Sequence, residues 1–344
     1  MLGVLIFVHE LGHFLVAKWA GIRVERFSLG FPPKMIGKTV GETDYCISWL
    51  PLGGYVKMAG ENPDDPTTGD PREFMSKPVG VRSLVILAGP AMNFVAAVLV
   101  FIGVLWLHGR DMPDPTQVVV GPVIADGPAD RVGIKTGDVI IAVDHERVAE
   151  FDKMAKLIHG RPGDSIEVLW RHEGDLYSAR FPTRTDTAKT TDGRDTVVGM
   201  IGIGMGYITQ RVGFADAVSG GIKQTFDFCR EMVKFLGGLV SGSVSIDNVS
   251  GPVGIAQIAG KVAKEGWAVL LNFMAILSLN LALLNILPIP ILDGGHLVFL
   301  FLEKLRGRPL SMRQRAVAQQ VGLVLLLLLI VTVTYHDIAR FIAG

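Results

Sequence analysis

Apolar residues in this chain gather into long runs, separated by stretches whose hydrophobic positions alternate or recur at helical spacing. Residues 2–20, 84–107, 268–287 and 321–342 are each long and apolar enough to cross a hydrocarbon core, which needs about 20 residues of helix. The third run ends in NILPIPILDGG. There Pro288 and Pro290 lack the N–H that a helix needs, and the pair predicts an extended segment. A helix broken at bilayer depth is tolerated only where it lines an enclosed or wet cavity. The second run carries GPAMN, residues 89–93, whose small side chains let another helix approach closely.

Between the second and third runs the pattern changes. VVVGPVIADGPADRVGIKTGDVIIAVDHERV predicts a strand, a Gly-Pro turn, a short helix, a Gly-Asp turn and a second strand from Asp138 to Val143. EFDKMAKLIHG places Phe151, Met154, Leu157 and Ile158 at helical spacing, and DSIEVLWRHEGDLYSARF predicts a hairpin about Glu173 and Gly174. This succession, residues 116–185, resembles a PDZ domain of the bacterial protease-associated kind. The Gly-Asp signature does not recur, so one such unit is expected. Residues 214–239 predict an amphipathic helix, either on the outer membrane surface or packed on the preceding domain. After the first run, TDYCISWLPLGGYVKMAG predicts strands with a bend at Gly53 and Gly54, and FSLGFPPK predicts a turn. These readings divide the chain into 1–107, 116–185, 186–267 and 268–344.

Composition narrows the class. Mean hydropathy is +0.40 and formal net charge is zero, too apolar for one soluble domain and without the basic excess that nucleic acid demands. Lys304, Arg306, Arg308, Arg313 and Arg315 outnumber Asp293 and Glu303 after the third run, which marks that loop as cytoplasmic. Lys18, Arg23, Arg26, Lys34 and Lys38 place the first loop on the same side. Both termini and the inserted domain are then extracytoplasmic. Cys46 and Cys229 fall on opposite sides of the bilayer and read as free thiols. The first run lacks a basic leader and a small-residue cleavage site, so it is expected to remain in the protein.

That first run contains HELGH. His9 and His13, four apart, project from one helical face and can both reach one zinc ion, with Glu10 beside them to take a proton from water. Five residues are a weak signal in a soluble helix, where they can form a solvated face. Here the apolar surroundings remove that reading and leave an internally paired polar cluster as the opposing one. A zinc hydrolase needs a third protein ligand and an open position. Asp293, just beyond the broken third run, is one candidate, with Gly294 and Gly295 allowing a tight backbone; His296 is the rival.

HELGH in the first span, NILPIPILDGG in a later one and a PDZ-type domain between them resemble the site-2 protease family of intramembrane zinc metalloproteases. Within it the chain is similar to the bacterial RseP-type members, which cleave membrane-anchored anti-sigma factors or related single-span proteins. The resemblance implies a polytopic α-helical membrane protein of the bacterial inner membrane, with four transmembrane helices, a membrane-associated β-element and an inserted extracytoplasmic PDZ domain (α+β). It implies His9, His13 and Asp293 as ligands of one zinc ion, Glu10 as the catalytic glutamate, and an active site toward the cytoplasmic side. It places Asn285, Pro288 and Pro290 in a motif that shapes the substrate groove, and Gly53 and Gly54 in a β-element that receives the unwound substrate. An ordinary structural hairpin is the alternative for that element. The expected partners are a single-span membrane protein and the lipid bilayer, without nucleic acid; the PDZ domain either binds a peptide C-terminus left by a prior cut or excludes bulky uncut substrates by size. The best-known enterobacterial relative carries two PDZ domains, and this chain departs from it with one.

A membrane metal transporter and a non-catalytic PDZ adaptor are the rival classes. Four spans without an inverted repeat argue against transport, and an adaptor has no need of Glu10.

Overall fold

The computed structural model describes residues 1–61, 69–189, 195–245 and 249–343. Helix α1 (Leu2–Trp19) leads into strands β1 (Val24–Val40) and β2 (Thr43–Met58) and then α2 (Val79–Leu107). Next come β3 (Arg110–Met112), β4 (Val118–Val123), α3 (Pro128–Arg131), β5 (Val139–Val143), β6 (Glu146–Arg147), α4 (Phe151–His159), β7 (Ser165–His172) and β8 (Asp175–Pro182). Then follow β9 (Arg184–Lys189), β10 (Asp195–Met200), β11 (Ile203–Met205) and β12 (Ile208–Gln210). The chain closes with α5 (Phe214–Ser241), α6 (Pro252–Val262), α7 (Trp267–Ile286), α8 (Asp293–Arg306) and α9 (Met312–Ala343). Two compact units result: Met1–Leu107 with Gly213–Gly344, and His108–Val212.

In the first unit α1, α2, α7 and the Arg313–Arg340 part of α9 are long and apolar enough to cross a membrane. The protein is thus a polytopic helical membrane protein with a β-element and an inserted α+β domain. Helices α1 and α2 touch through small residues: a β-carbon on Gly12 would lie 2.2 Å from the Ala88 carbonyl oxygen. Helices α2 and α7 share a core of Ala97, Phe101, Ala275 and Leu279.

Both glycine-rich stretches lie within the long strands, and the pairing shows the chain reversing in each, between Leu29 and Ile36 of β1 and between Ile47 and Gly54 of β2. A further reversal joins β1 to β2 next to Gly41, whose φ of 63° suits a residue without a β-carbon. Arg26 to Leu29 pair with Lys57 to Gly54 and also with Asp44 to Ile47, while Lys34 to Val40 pair with Ser48 to Thr43. One stretch of β1 therefore lies between two stretches of β2, a pairing that no local pattern encodes. Phe27, Val56 and Met58 form a buried core with Ala17, Ile22 and Val85, which seats the sheet against α1.

Helix α8 stands where only a loop was expected, and α5 packs on α2. Its buried positions, Ala217 and Thr225 among them, recur at helical spacing, and Trp106 meets Phe214 while Phe94 meets Phe226. The apolar face of α5 therefore runs along α2.

In the second unit the sheet order is β11-β4-β5-β7-β8, with β6 beside β5. Ile166, Val168 and Trp170 alternate inward along β7 onto Met154 and Ile158 of α4. The β7–β8 hairpin turns at Glu173 and Gly174, both with positive φ, as a tight two-residue turn requires. The unit reaches Val212, beyond the expected limit at residue 185, because β11 forms a sheet edge on β4 and β12 pairs with β3.

Candidate metal centre

Helix α1 projects His9 and His13 from one face, one turn apart, with Glu10 beside them. The third group arrives from 280 residues downstream by a backbone device. Helix α7 stops at Leu287, which is extended ahead of Pro288, and turns at Ile289 and Leu292 restart the chain as α8 with Asp293 in its first turn. The segment between the helices is a series of turns and not the extended stretch expected from the prolines. Glycine is required where it rejoins: a β-carbon on Gly294 would lie 2.2 Å from the Ile286 and Leu287 carbonyl oxygens, and one on Gly295 2.2 Å from that of Ile289.

His9 Nε2 lies 3.1 Å from Asp293 Oδ2, His13 Nε2 lies 3.6 Å from the same oxygen, and the two Nε2 atoms are 3.2 Å apart. Ligands at about 2.0–2.1 Å on neighbouring corners of a zinc tetrahedron stand roughly 3.3 Å from one another. The spacing therefore fits a zinc ion. Two further observations agree. Asp293 Oδ2 is buried and faces the two imidazole Nε2 atoms, an arrangement that a shared cation satisfies. His13 Nδ1 lies 2.8 Å from the Val85 carbonyl oxygen, so the ring donates there and keeps the Nε2 lone pair for a metal. The three side chains are 10%, 12% and 19% exposed, largely withdrawn from water yet not sealed.

The triad opens into a cavity of about 540 Å³ whose wall includes Glu10, Val56, His296 and Arg315. The Glu10 carboxylate faces the backbone amide of Val56, and a β-carbon on Gly54 would lie 3.1 Å from Glu10 Cγ. The β2 stretch from Gly54 to Met58 thus runs beside the site. Asn285 Nδ2 stands 3.4 Å from His9 Nε2. Gly53 lies under the Phe31 ring, and Pro290 packs against Gly322 of α9. Pro288 is exposed at the turn, and neither proline lines the cavity. His296 lines the cavity, but the group spaced to hold a metal ion among the described residues is His9, His13 and Asp293.

Three neighbours of the site were not read as such from the sequence, although GPAMN was read as a point of close helix approach. A β-carbon on Gly89 of α2 would lie 2.3 Å from His13 Nε2, so this glycine admits the imidazole. Asn93, one α2 turn further, is fully buried with its amide 3.3 Å from His9 Nδ1. Arg82 of α2 forms a buried two-pronged pair with Glu303 of α8. The readable signal was a polar residue inside an apolar run.

The sequence profile described as peptidase family M50 matches residues 1–329. The chain belongs to peptidase family M50. In this family, the site-2 proteases, it is a zinc metalloendopeptidase, and its four candidate spans make it a multi-pass membrane protein. An Agrobacterium fabrum relative is 35% identical, covering 99% of this chain and 94% of that protein. The zinc metalloprotease RasP of Geobacillus kaustophilus is 33% identical over 98% and 96% of the two chains. The regulator of sigma-W protease RasP of Bacillus subtilis is 30% identical over 98% and 96%. A solved PDZ domain of a Listeria monocytogenes protein aligns at 23% identity with 28% of this chain and 92% of its own, with a TM-score of 0.20.

Proposed function

We propose that this M50 peptidase holds one zinc ion on His9, His13 and Asp293 and hydrolyses a peptide bond within or near the transmembrane segment of a single-span membrane protein. The observation that carries this reading is the near-tetrahedral spacing of three ligand atoms beside Glu10 in an open cavity. Zinc bound there would supply Lewis-acid polarisation of the scissile carbonyl and acidify water. Glu10, held beside the ligands, would accept a proton from the attacking water at a carboxylate oxygen and deliver it to the leaving amine. Asn285, whose amide nitrogen lies at the edge of the triad, donates to the substrate backbone and fixes its approach.

A helical substrate must unwind before its peptide bonds can be reached, and the freed backbone groups need partners. The stretch of β2 from Gly54 to Met58 pairs with β1 on one side and runs beside Glu10 on the other, so it lends an edge to the unwound strand. The excess of Lys and Arg after α1 and after α7 supports a cytoplasmic β-element and α8, with both termini and the inserted domain outside the inner membrane. The inserted α+β unit acts as a PDZ domain that binds a peptide C-terminus. The name of the B. subtilis relative ties that protein to sigma-W, which supports an anti-sigma factor or similar regulator, already cut once, as the substrate.

The test is cleavage of a tagged single-span substrate by the purified full chain, wild type beside Glu10→Gln, with metal content measured on both. Cleavage by the wild type alone, with about one equivalent of zinc in each, is the expected result. Equal cleavage by both would remove Glu10 from the reaction, and wild type without zinc would remove the centre.

A further inference from the structure

Helix α2 supplies a partner to the outer nitrogen of each histidine in the triad, but by different means. For His13 the partner is a main-chain carbonyl, Val85, which no substitution removes. For His9 it is a side chain. Asn93 is 0% exposed, its amide nitrogen lies 3.3 Å from His9 Nδ1, and its Oδ1 is buried without a hydrogen-bond partner. The main-chain carbonyl oxygen of Asn93 accepts a hydrogen bond from Ser278 Oγ at 2.9 Å, so α7 fixes this turn of α2.

A neutral histidine that ligates through Nε2 carries its proton on Nδ1, and that proton needs an acceptor in a site removed from water. A carboxamide offers both a donor and an acceptor, and a half-turn about its last torsion exchanges them. With Nε2 facing Asp293 and protonated, Asn93 donates to Nδ1. With Nε2 given to a metal, the unpartnered Oδ1 accepts from Nδ1 instead.

We propose that Asn93 is the positioning residue of His9, its Oδ1 holding the ring in the tautomer and orientation that present Nε2 to the metal. The inference rests on the metal centre proposed above. Asn93 touches neither substrate nor metal; it acts through His9.

Purified full-length protein in detergent tests it with two readouts independent of proteolysis: zinc affinity by competition with a chromophoric chelator, and the visible spectrum of the cobalt-substituted protein. Asn93→Leu removes the acceptor at similar volume, and Asn93→Asp retains it. The leucine variant is expected to bind zinc about 10- to 100-fold more weakly with an altered cobalt spectrum. The aspartate variant is expected to bind within a few-fold of wild type with a spectrum like it. Should the leucine variant not fold, Asn93→Ala carries the same comparison. Wild-type affinity and spectrum in the leucine or alanine variant would overturn the assignment, as would an aspartate variant as weak as the apolar one. His9→Ala separates the two levels. If it binds zinc as wild type does, the centre itself falls and the role of Asn93 with it. If it loses zinc while Asn93→Leu does not, Asn93 alone is excluded.

Discussion

Gly89 faces His13 so closely that a β-carbon on it would lie 2.3 Å from Nε2 and 2.8 Å from His9 Cε1. Helix α2 can approach the two imidazoles only because one of its residues has no side chain. Gly89→Ala should therefore displace a ligand and not merely loosen a helix contact. The variant is expected to retain its helical content and to lose most of its zinc and activity, measured by metal analysis beside circular dichroism. A variant with a full complement of metal would show that α1 and α2 can move apart without cost to the centre.

Arg82 and Glu303 join α2 to α8, the helix whose first turn carries Asp293. Their side chains are 5% and 10% exposed, with Nη2 to Oε1 at 2.5 Å and Nη1 to Oε2 at 3.2 Å. Arg315 Nη2 also lies 3.8 Å from Glu303 Oε2, so removing Glu303 leaves the buried Arg82 charge uncompensated and takes a counter-charge from Arg315 as well. Glu303→Ala is expected to cost about 3–5 kcal/mol, while Arg82→Met with Glu303→Leu should recover much of it. Denaturant unfolding in detergent across the cycle measures both. A loss in the double variant equal to the sum of the two single losses would mean that the pair is not coupled.

Asp44 of β2 lies 2.5 Å from Lys34 Nζ and 3.2 Å from Arg26 Nε. The Lys34 ammonium, with Arg26 behind it, holds this carboxyl below the usual carboxylate range. A depressed carboxylate stabilises the fold above its unfolded pKa, about 3.9 for Asp, and that contribution is lost as pH falls through the lower native value. Hydrogen exchange in the β1–β2 pairing is thus expected to rise on acidification below about pH 4. In Asp44→Asn this step should be reduced, and an identical pH profile in the two proteins would count against the assignment.

Asp337 of α9 caps another helix. Gly251, the residue before α6, contributes no side-chain cap of its own, and its amide lies 3.2 Å from Asp337 Oδ1 while that of Gly254 lies 2.8 Å from Oδ2. Asp337→Ala should cost about 0.5–2 kcal/mol, felt locally at the start of α6. Faster exchange of the Gly251 and Gly254 amides is the expected sign, with Asp337→Asn intermediate. Unchanged exchange in the alanine variant would exclude the cap.

Part of the site was legible because its signals are local. HELGH carries its spacing within one helical turn and the apolar run excludes a solvated face, so His9 and His13 could be paired on paper. Asp293 stood out through prolines and glycines that mark a chain path. The residues alone left His296 as its rival and the family resemblance pointed to Asp293; in the fold both side chains reach the same cavity and only the Asp293 oxygen meets both imidazoles. The glycines of the β-element mark the reversals within β1 and β2, but only the fold shows that Gly54 also admits β2 beside Glu10 and that Gly53 passes under Phe31.

The sequence by itself determined the membrane spans, the insertion of an α+β domain between the second and third, the two histidines with their glutamate, and the candidate third ligand. These follow from hydropathy, periodicity and residue chemistry, which act within a few residues. Only the tertiary structure decided which stretches of β1 and β2 pair, that strands after residue 185 close the inserted domain, that α5 runs along α2, and that Gly89, Asn93 and Val85 of α2 surround the imidazoles. Those relations join groups tens to hundreds of residues apart. They depend on packing and on satisfying buried polar atoms, neither of which leaves a periodic mark in the chain.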